Sequence, residues 1–217
     1  MHFLNIRVII YLTIGVMNMG DTVHEESILL IGPPNVGKSR ISYLLSDKTK
    51  LPLVSLSDKR EEHYRALNYD KNYASKLKRE AGELAKYKYT KPFEAYHVEK
   101  SLDNLDKSAI VAFEPSQTVY EDQTLFDNVF KMIKKFKNII LLLPDVDMLE
   151  SWQLINKISK IPADSDLSKL NWHLVSSSCN VNLATDIIYT LGKTEEELTD
   201  EIINVVEKKK QGEVKVA

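Results

Sequence analysis

The sequence predicts an α/β protein in which helices cover a five-stranded parallel sheet. Short apolar runs of strand length alternate with longer amphipathic stretches, which is the pattern of strand–helix–strand units. A glycine-containing turn joins the first apolar run to the first helical stretch. The predicted strands are residues 28–31, 53–56, 109–113, 138–143 and 186–191.

Two sequence signals mark the ends of helices. Thr194 is followed three residues later by Glu197, which predicts a capping box that opens the last helix. Asp145 follows Pro144 directly after the fourth strand, and this order predicts that Asp145 is the N-cap of the next helix.

Size, charge and cysteine content narrow the class of protein. The chain has 217 residues, 43% of them hydrophobic and 28% charged, which suits one sizeable core. The formal net charge of -2 gives no basic field, so we expect no nucleic-acid partner. The lone cysteine, Cys179, excludes an internal disulfide and indicates a reducing, cytoplasmic setting.

The domain organisation is predicted to be a single globular domain over residues 20–207. Within it, residues 58–106 are expected to form a helical lobe that holds the substrate, and residues 160–182 an irregular, mobile lid. Residues 208–217 are expected to be a disordered tail. Residues 1–19 are interpreted as a start-site extension or disordered tail; a membrane tether is the alternative, but no stable membrane insertion is expected.

Residues 32–39 carry the clearest functional motif, Gly-Pro-Pro-Asn-Val-Gly-Lys-Ser, between a predicted strand and a predicted helix. This is the G-x-x-x-x-G-K-S pattern of a phosphate-binding P-loop, which works only in that context. Lys38 is expected to reach the β- and γ-phosphates of a nucleoside triphosphate, and the Ser39 hydroxyl to bind Mg²⁺. The predicted nucleotide-binding residues are Gly32, Asn35, Val36, Gly37, Lys38, Ser39 and Arg40.

Two carboxylates follow predicted strands, where the chemistry of open α/β sheets collects. Asp58, after the second strand, could hold a metal-bound water or accept the proton of an acceptor hydroxyl. Glu114, at the end of the third, is the candidate for a second ligand on the metal side. For both, an ordinary solvated loop carboxylate is the alternative.

Several segments resemble shikimate kinases, and more narrowly a bacterial set of shikimate-kinase-like ATPases. They are residues 32–39, 89–95, 116–122, 141–144 with 150–151, and 189–194. The resemblance implies a P-loop fold of the nucleoside-monophosphate-kinase group, with a parallel sheet in the order 2-3-1-4-5. It also implies ATP and Mg²⁺ at Lys38 and Ser39, and an acceptor contact at Asp58.

The chain departs from the shikimate-kinase pattern at two places. Residues 113–116 read Phe-Glu-Pro-Ser where that family has a glycine-rich turn, and no arginine follows Arg79 to act from the lid. Lys157 and Lys160 are the remaining candidates to face the transferred phosphate, although lysine lacks the arginine fork. Two functions therefore stay open: a kinase acting on a hydroxylated metabolite, or a nucleotide-binding switch with little transfer and a protein partner.

Overall fold

The computed structural model describes residues 24–214, so the predicted extension at residues 1–19 lies outside the described residues. The strands are β1 (Ile28–Ile31), β2 (Leu53–Ser55), β3 (Ile110–Ala112), β4 (Asn138–Leu143) and β5 (Asp186–Tyr189). The helices are α1 (Lys38–Thr49), α2 (Arg60–Ala66), α3 (Lys71–Asp103), α4 (Gln123–Ile133), α5 (Met148–Ile158), α6 (Asp166–Ser176), α7 (Ser178–Leu183) and α8 (Glu195–Val214). A 3₁₀ turn spans Pro115–Thr118.

The five strands form one parallel sheet in the order β2-β3-β1-β4-β5. Leu29 of the central strand pairs with Val111 on one side and Ile139 on the other. The predicted fold class and strand order are confirmed. In such a sheet the loops that follow the strands meet along one edge, and this edge carries the candidate site.

The core lies on both faces of the sheet because successive side chains of a strand point to opposite faces. Leu29 and Ile31 pack towards α3 and α4, in a cluster that includes Val98 and Ile133. Ile28 and Leu30 pack towards α1 and α8, in a second cluster. β1 is buried on both sides, which explains its uninterrupted apolar sequence.

The helix ends agree with the sequence in one case and differ in two. Thr194 and Glu197 exchange the hydrogen bonds of a capping box, as predicted. The cap of α5 is Asp147 and not Asp145, because Asp147 accepts from two N–H groups of the first turn while Asp145 accepts from the Asp147 N–H. α8 continues to Val214, so residues 208–214 are helical and not part of a disordered tail.

Most of residues 58–106 form α2 and α3. The break in α3 is at Gly82, whose φ of 85° and ψ of -178° are not helical, whereas the helix continues through Lys91-Pro92-Phe93-Glu94.

Residues 160–182 are mainly helical, so the irregular structure predicted for them is wrong. Helix α6 is held to α5 by buried polar side chains: Asn156 donates to Ser168 Oγ (2.7 Å), and Asn171 donates to Asn156 Oδ1 (2.8 Å). Polar residues on the buried face weaken the apolar periodicity, which is why the sequence did not reveal this helix. None of the helices within residues 24–214 is both long and apolar enough to cross a membrane.

Candidate functional site

The P-loop connects β1 to α1 and needs glycine at two positions. Gly32 has a φ of 136°, and a Cβ placed there would lie 2.3 Å from the Leu142 carbonyl oxygen of β4. Gly37 has a φ of 84° and is the N-cap of α1. Asn35 also has a positive φ, 62°. The turn therefore runs close to the sheet and brings the positive end of α1 to the cavity described below.

Lys38 is buried against its own loop. Its Nζ donates to the Gly32 carbonyl (2.7 Å) and to the Pro33 carbonyl (2.6 Å). Burial lowers the pKa of the amine to about 7, against the opposing effect of the Glu114 charge. An anion should interact strongly with this amine, because folding has already removed the water around it. The negative charge of the anion would also favour the protonated form of the amine.

A cavity of about 650 Å³, the P-loop cavity, opens in front of this lysine. It lies between the P-loop, β2 with the residues that follow it, and the end of β3. Its lining includes Asn35, Gly37, Lys38, Ser39, Arg40, Ser55, Ser57 and Glu114. Of the other predicted nucleotide-binding residues, Val36 packs in the core beside Ile41, and Gly32 lies against β4.

A second cavity of about 710 Å³, the tyrosine cavity, lies between α2, α3 and the 3₁₀ turn. Tyr64, Tyr69 and Tyr87 line it, and Tyr69 stacks on Tyr89 with 5.6 Å between ring centroids. Its charged lining is balanced between Arg60, Arg65, Lys71 and Lys86 on one side and Glu61, Glu83, Glu94 and Glu114 on the other. Rings with mixed charge suit a polar, ring-bearing ligand.

Glu114 lines both cavities and marks where they adjoin. It lies two residues after the end of β3, and its Oε1 is 2.5 Å from Nη2 of Arg60. The sequence identified Glu114 but not Arg60. A signal was present, because Arg60 begins the helix that follows β2 and therefore belongs to the same edge of the sheet.

A buried charge pair lies beneath the tyrosine cavity and was also missed. Lys91 Nζ donates to Glu94 Oε2 (2.7 Å) and to the Ser116 carbonyl, while Ser116 Oγ donates to Glu94 Oε1 (2.7 Å). Burial lowers the pKa of Lys91, against the opposing effect of Glu94. Lys91 also lies over the rings of Tyr87 and Tyr120, 4.4 and 4.2 Å from their centroids. Both carboxylate oxygens of Glu94 are thus already engaged.

Three candidate catalytic residues lie on the surface. Asp58 is exposed in the turn between Ser57, which lines the P-loop cavity, and Arg60, which lines the tyrosine cavity. Lys157 and Lys160 are exposed at the end of α5 and just after it. The structure thus gathers Lys38, Ser39 and Glu114 around one cavity and leaves Asp58, Lys157 and Lys160 outside its lining.

The residue just before the predicted lid nevertheless touches the P-loop. The Asn35 side chain donates a hydrogen bond to Ser159 Oγ, at the C-cap of α5. Lys160 follows with a φ of 53°, so the chain turns sharply here. Lys157 and Lys160 therefore flank a contact to the loop that would hold phosphates.

The oxygen atoms in the P-loop cavity fit a magnesium ion. Ser39 contributes a hydroxyl and Glu114 a carboxylate, both oxygen ligands of the kind that Mg²⁺ prefers when phosphates complete its shell. Within residues 24–214, no group of three or more His, Cys, Asp or Glu side chains forms a metal site. A cation would therefore depend on Ser39, Glu114 and the nucleotide together.

Comparison with known proteins places the chain by its fold. No family model matches the sequence, and no curated protein matches it significantly. Among solved structures, it is similar to shikimate kinase from Acinetobacter baumannii in complex with shikimate, at 13% identity and a TM-score of 0.54, over 88% of this chain and 98% of that one.

Two further structures give the same result. Shikimate kinase from Aquifex aeolicus matches at 17% identity and a TM-score of 0.52, over 83% of this chain and 96% of that one. A gluconokinase from Sinorhizobium meliloti matches at 10% identity and a TM-score of 0.54, over 89% and 98%. The chain therefore shares the fold of these kinases, a parallel sheet in the order 2-3-1-4-5 with the P-loop after its first strand.

Proposed function

We propose that this chain is a small-molecule kinase that transfers the γ-phosphoryl group of Mg-ATP to a hydroxylated acceptor. The observation that supports this most directly is the shared wall at Glu114: a P-loop cavity with a buried lysine adjoins a second cavity large enough for a metabolite. Phosphoryl transfer needs a donor and an acceptor held side by side with their charge neutralised, and two adjoining cavities provide that arrangement.

The chain's own groups would hold the nucleotide as follows. Lys38 exchanges its two carbonyl partners for phosphate oxygens, and the N-terminus of α1 adds backbone donors and partial positive charge. Ser39 and Glu114 hold the Mg²⁺ ion, which when bound neutralises charge on the phosphates.

The acceptor would occupy the tyrosine cavity, with its hydroxyl directed at Glu114 and the P-loop. Its oxygen forms the new bond to the γ-phosphorus while the bond to the β-phosphate oxygen breaks and ADP leaves. Asp58 is proposed to take the hydroxyl proton, and Lys157 and Lys160 to close over the transferred group. Because all three are exposed, these roles require the turn after β2, and the end of α5 with the segment after it, to move inward.

A nucleotide-dependent switch with little transfer is the second candidate, and one contact favours it. Asn35 joins the P-loop to Ser159, and the helix beyond is fixed to α5 by Asn156 and Ser168. Nucleotide binding at the P-loop could thereby reorder the 159–165 segment for a protein partner to recognise. The solitary thiol suits a cytoplasmic setting for either function.

Calorimetric titration with Mg²⁺ and a non-hydrolysable ATP analogue tests the nucleotide site. We expect Lys38→Met to weaken binding at least about a hundredfold, because it leaves phosphate charge without its buried partner. Lys88→Met, which removes an exposed lysine of α3, is the matched control and should bind like the parent chain. Equal affinity of the Lys38 variant would overturn the proposal.

ATP turnover separates the kinase from the switch. A kinase consumes ATP faster when its acceptor is added from a panel of hydroxylated ring metabolites, and the product carries the phosphate. Tight nucleotide binding without acceptor-stimulated turnover across such a panel would favour the switch.

A further inference from the structure

The ion pair between Arg60 and Glu114 links the two cavities, because Glu114 lines both and Arg60 lines the tyrosine cavity. We propose that this pair is a latch that makes acceptor binding depend on prior nucleotide binding. In the free protein Glu114 neutralises Arg60. When Mg²⁺ enters with the nucleotide, Glu114 serves the cation and Arg60 is released to bind an anionic group of the acceptor. The latch rests on the proposed kinase function and adds an order to it, nucleotide first.

Glu114 is the fixed half of the latch. It stands just after β3, where its N–H donates to Oε1 of Gln117 (2.8 Å) and its carbonyl accepts from the Gln117 N–H (3.0 Å). These two bonds fix the backbone of Glu114 at the start of the 3₁₀ turn and so keep its carboxylate between the two cavities. An exchange of partners therefore moves mainly the arginine or the cation.

Arg60 is the half that can move. It is the first residue of α2, a helix of seven residues whose N-cap, Lys59, makes no side-chain capping bond. The Arg60 Nε and Nη2 atoms are buried, and within the described residues neither has a hydrogen-bond partner of good geometry, although Nη2 lies close to Glu114. The Arg60 side chain nevertheless lines the tyrosine cavity, so its planar set of donors is placed to bind a carboxylate or phosphate on the acceptor once the Glu114 contact is released.

Charge explains why nucleotide binding should open the latch. Glu114 opposes the effect of burial on the Lys38 pKa, so its carboxylate lies within electrostatic reach of the place where polyphosphate would bind. A carboxylate beside a polyphosphate is unfavourable unless a cation lies between them. Arg60 lies on the acceptor side of Glu114 and so is not between the carboxylate and the phosphates. A Mg²⁺ ion bound with the nucleotide would lie between them, and Mg²⁺ prefers oxygen ligands.

Spectra of the arginine guanidinium N–H groups, which include the Nη2 hydrogens of Arg60, test this latch directly in the full chain. The sequence has five arginines (residues 7, 40, 60, 65 and 79), so the spectrum is sparse, and Arg60→Lys identifies the Arg60 signal. We expect the magnesium complex of a non-hydrolysable ATP analogue to shift that signal. The exchange of its hydrogen with water should become about tenfold faster, the change that corresponds to losing one charged contact.

Two variants and one omission sharpen the test. Glu114→Gln keeps the capping hydrogen bond but removes the charge, so its Arg60 signal should resemble the nucleotide-bound parent without any nucleotide. Glu61→Gln removes the same charge from the same cavity and should leave the signal unchanged. The nucleotide analogue without Mg²⁺ should also leave it unchanged.

The possible failures are distinguishable. A fixed Arg60 signal in a chain whose calorimetric titration shows nucleotide binding overturns the latch and leaves the kinase proposal standing. An Arg60 signal that Glu114→Gln does not change overturns the latch as well. A chain that binds no nucleotide overturns the proposed function, and the latch with it.

Discussion

At the scale of single residues, the buried Lys38 amine lowers the stability of the fold and raises the affinity of the P-loop for an anion. The folded chain buries an amine that burial makes easier to deprotonate, with a pKa of about 7, and offers it two carbonyl oxygens that are weaker partners than phosphate. An anion that binds at the P-loop is therefore stabilised by an amine that is already desolvated. Binding should be accompanied by uptake of a proton, because the amine beside the anion should be fully protonated.

The first prediction at this scale is proton uptake on nucleotide binding. At pH 8 most Lys38 amines of the free protein are neutral, so binding the magnesium complex of an ATP analogue should take up about one proton. Calorimetry in two buffers with different ionisation enthalpies measures the number. At pH 6 the amine is already charged, and uptake should nearly vanish. Equal uptake at the two pH values would contradict this origin.

The second prediction at this scale concerns the buried pair His63 and His97, whose Nδ1 atoms lie 2.8 Å apart. Burial, with the charges of Arg60 and His63 adding to it, lowers the pKa of His97 to about 4. The unfolded chain binds the proton below about pH 6.5 and the folded chain does not, so stability is complete above pH 6.5. It should fall by about 3 kcal/mol as the pH drops towards 4.

Urea unfolding of the parent chain and His97→Gln at several pH values checks this. The glutamine stays neutral throughout, so the variant should lack that part of the acid destabilisation which His97 causes. Parallel curves of stability against pH for the two chains would mean that His97 is not the group responsible.

At the scale of elements, helix α6 connects α5 to the tyrosine cavity. It is joined to α5 by the Asn156–Ser168 hydrogen bond, and it supplies Leu170 to the lining of the tyrosine cavity. It also lies against the interruption of α3, because Gly82 faces Asp166 at the first turn of α6. Within the predicted lid, residues 160–182, the part without helical structure is reduced to residues 160–165 and Ser177.

The third prediction tests the interruption. Gly82 has a backbone conformation that is nearly exclusive to glycine, and a Cβ there would lie 2.5 Å from Asp166 Oδ2. Gly82→Ala should therefore destabilise the chain by about 2 kcal/mol or more in denaturant unfolding. Gly212→Ala, in α8 with open space around it, is the control and should be neutral or stabilising by ~0.5 kcal/mol.

A loss much smaller than this in Gly82→Ala would show that α3 can straighten. Asp166→Ala separates the two causes, because it removes the steric contact in a double variant but leaves the backbone strain. Partial recovery is the expected result.

The elements also show what the sequence could and could not predict. Apolar runs located the strands because β1 and β4 are buried on both faces, and the P-loop was clear because its glycines are required by geometry. Helix α6 was not predicted because half of its buried residues, Ser168 and Asn171, are polar; the other two are Leu174 and Val175. Polar contacts between distant segments leave no periodic signal in the chain.

The candidate site also contains residues that the sequence could predict and residues that it could not. Lys38 and Ser39 belong to a contiguous motif and could be found by reading it. Arg60 and Glu114 are 54 positions apart and meet only because β2 and β3 are neighbours in the sheet. The tyrosine cavity likewise draws on α2, α3, α6 and the 3₁₀ turn, so its shape required the tertiary structure.

At the scale of the whole molecule, the parallel sheet gives the chain a rigid platform with its chemistry along one edge. The two cavities stand side by side on that edge, above β1, β2 and β3, while the two core clusters fill both faces beneath. The order 2-3-1-4-5 places β3 between β1 and β2, so the carboxylate that follows it stands between the P-loop and the helix that begins at Arg60.

That shared wall has a practical consequence for inhibitor chemistry. A single compound that joins a nucleotide polyphosphate to a phenolic or carboxylate fragment by a short tether could fill both cavities at once. Its second half would bind as an intramolecular event at a high effective concentration, so its affinity should exceed that of either half alone. The tether would have to pass Glu114, and a cationic nitrogen at that point would take the place that Arg60 now occupies.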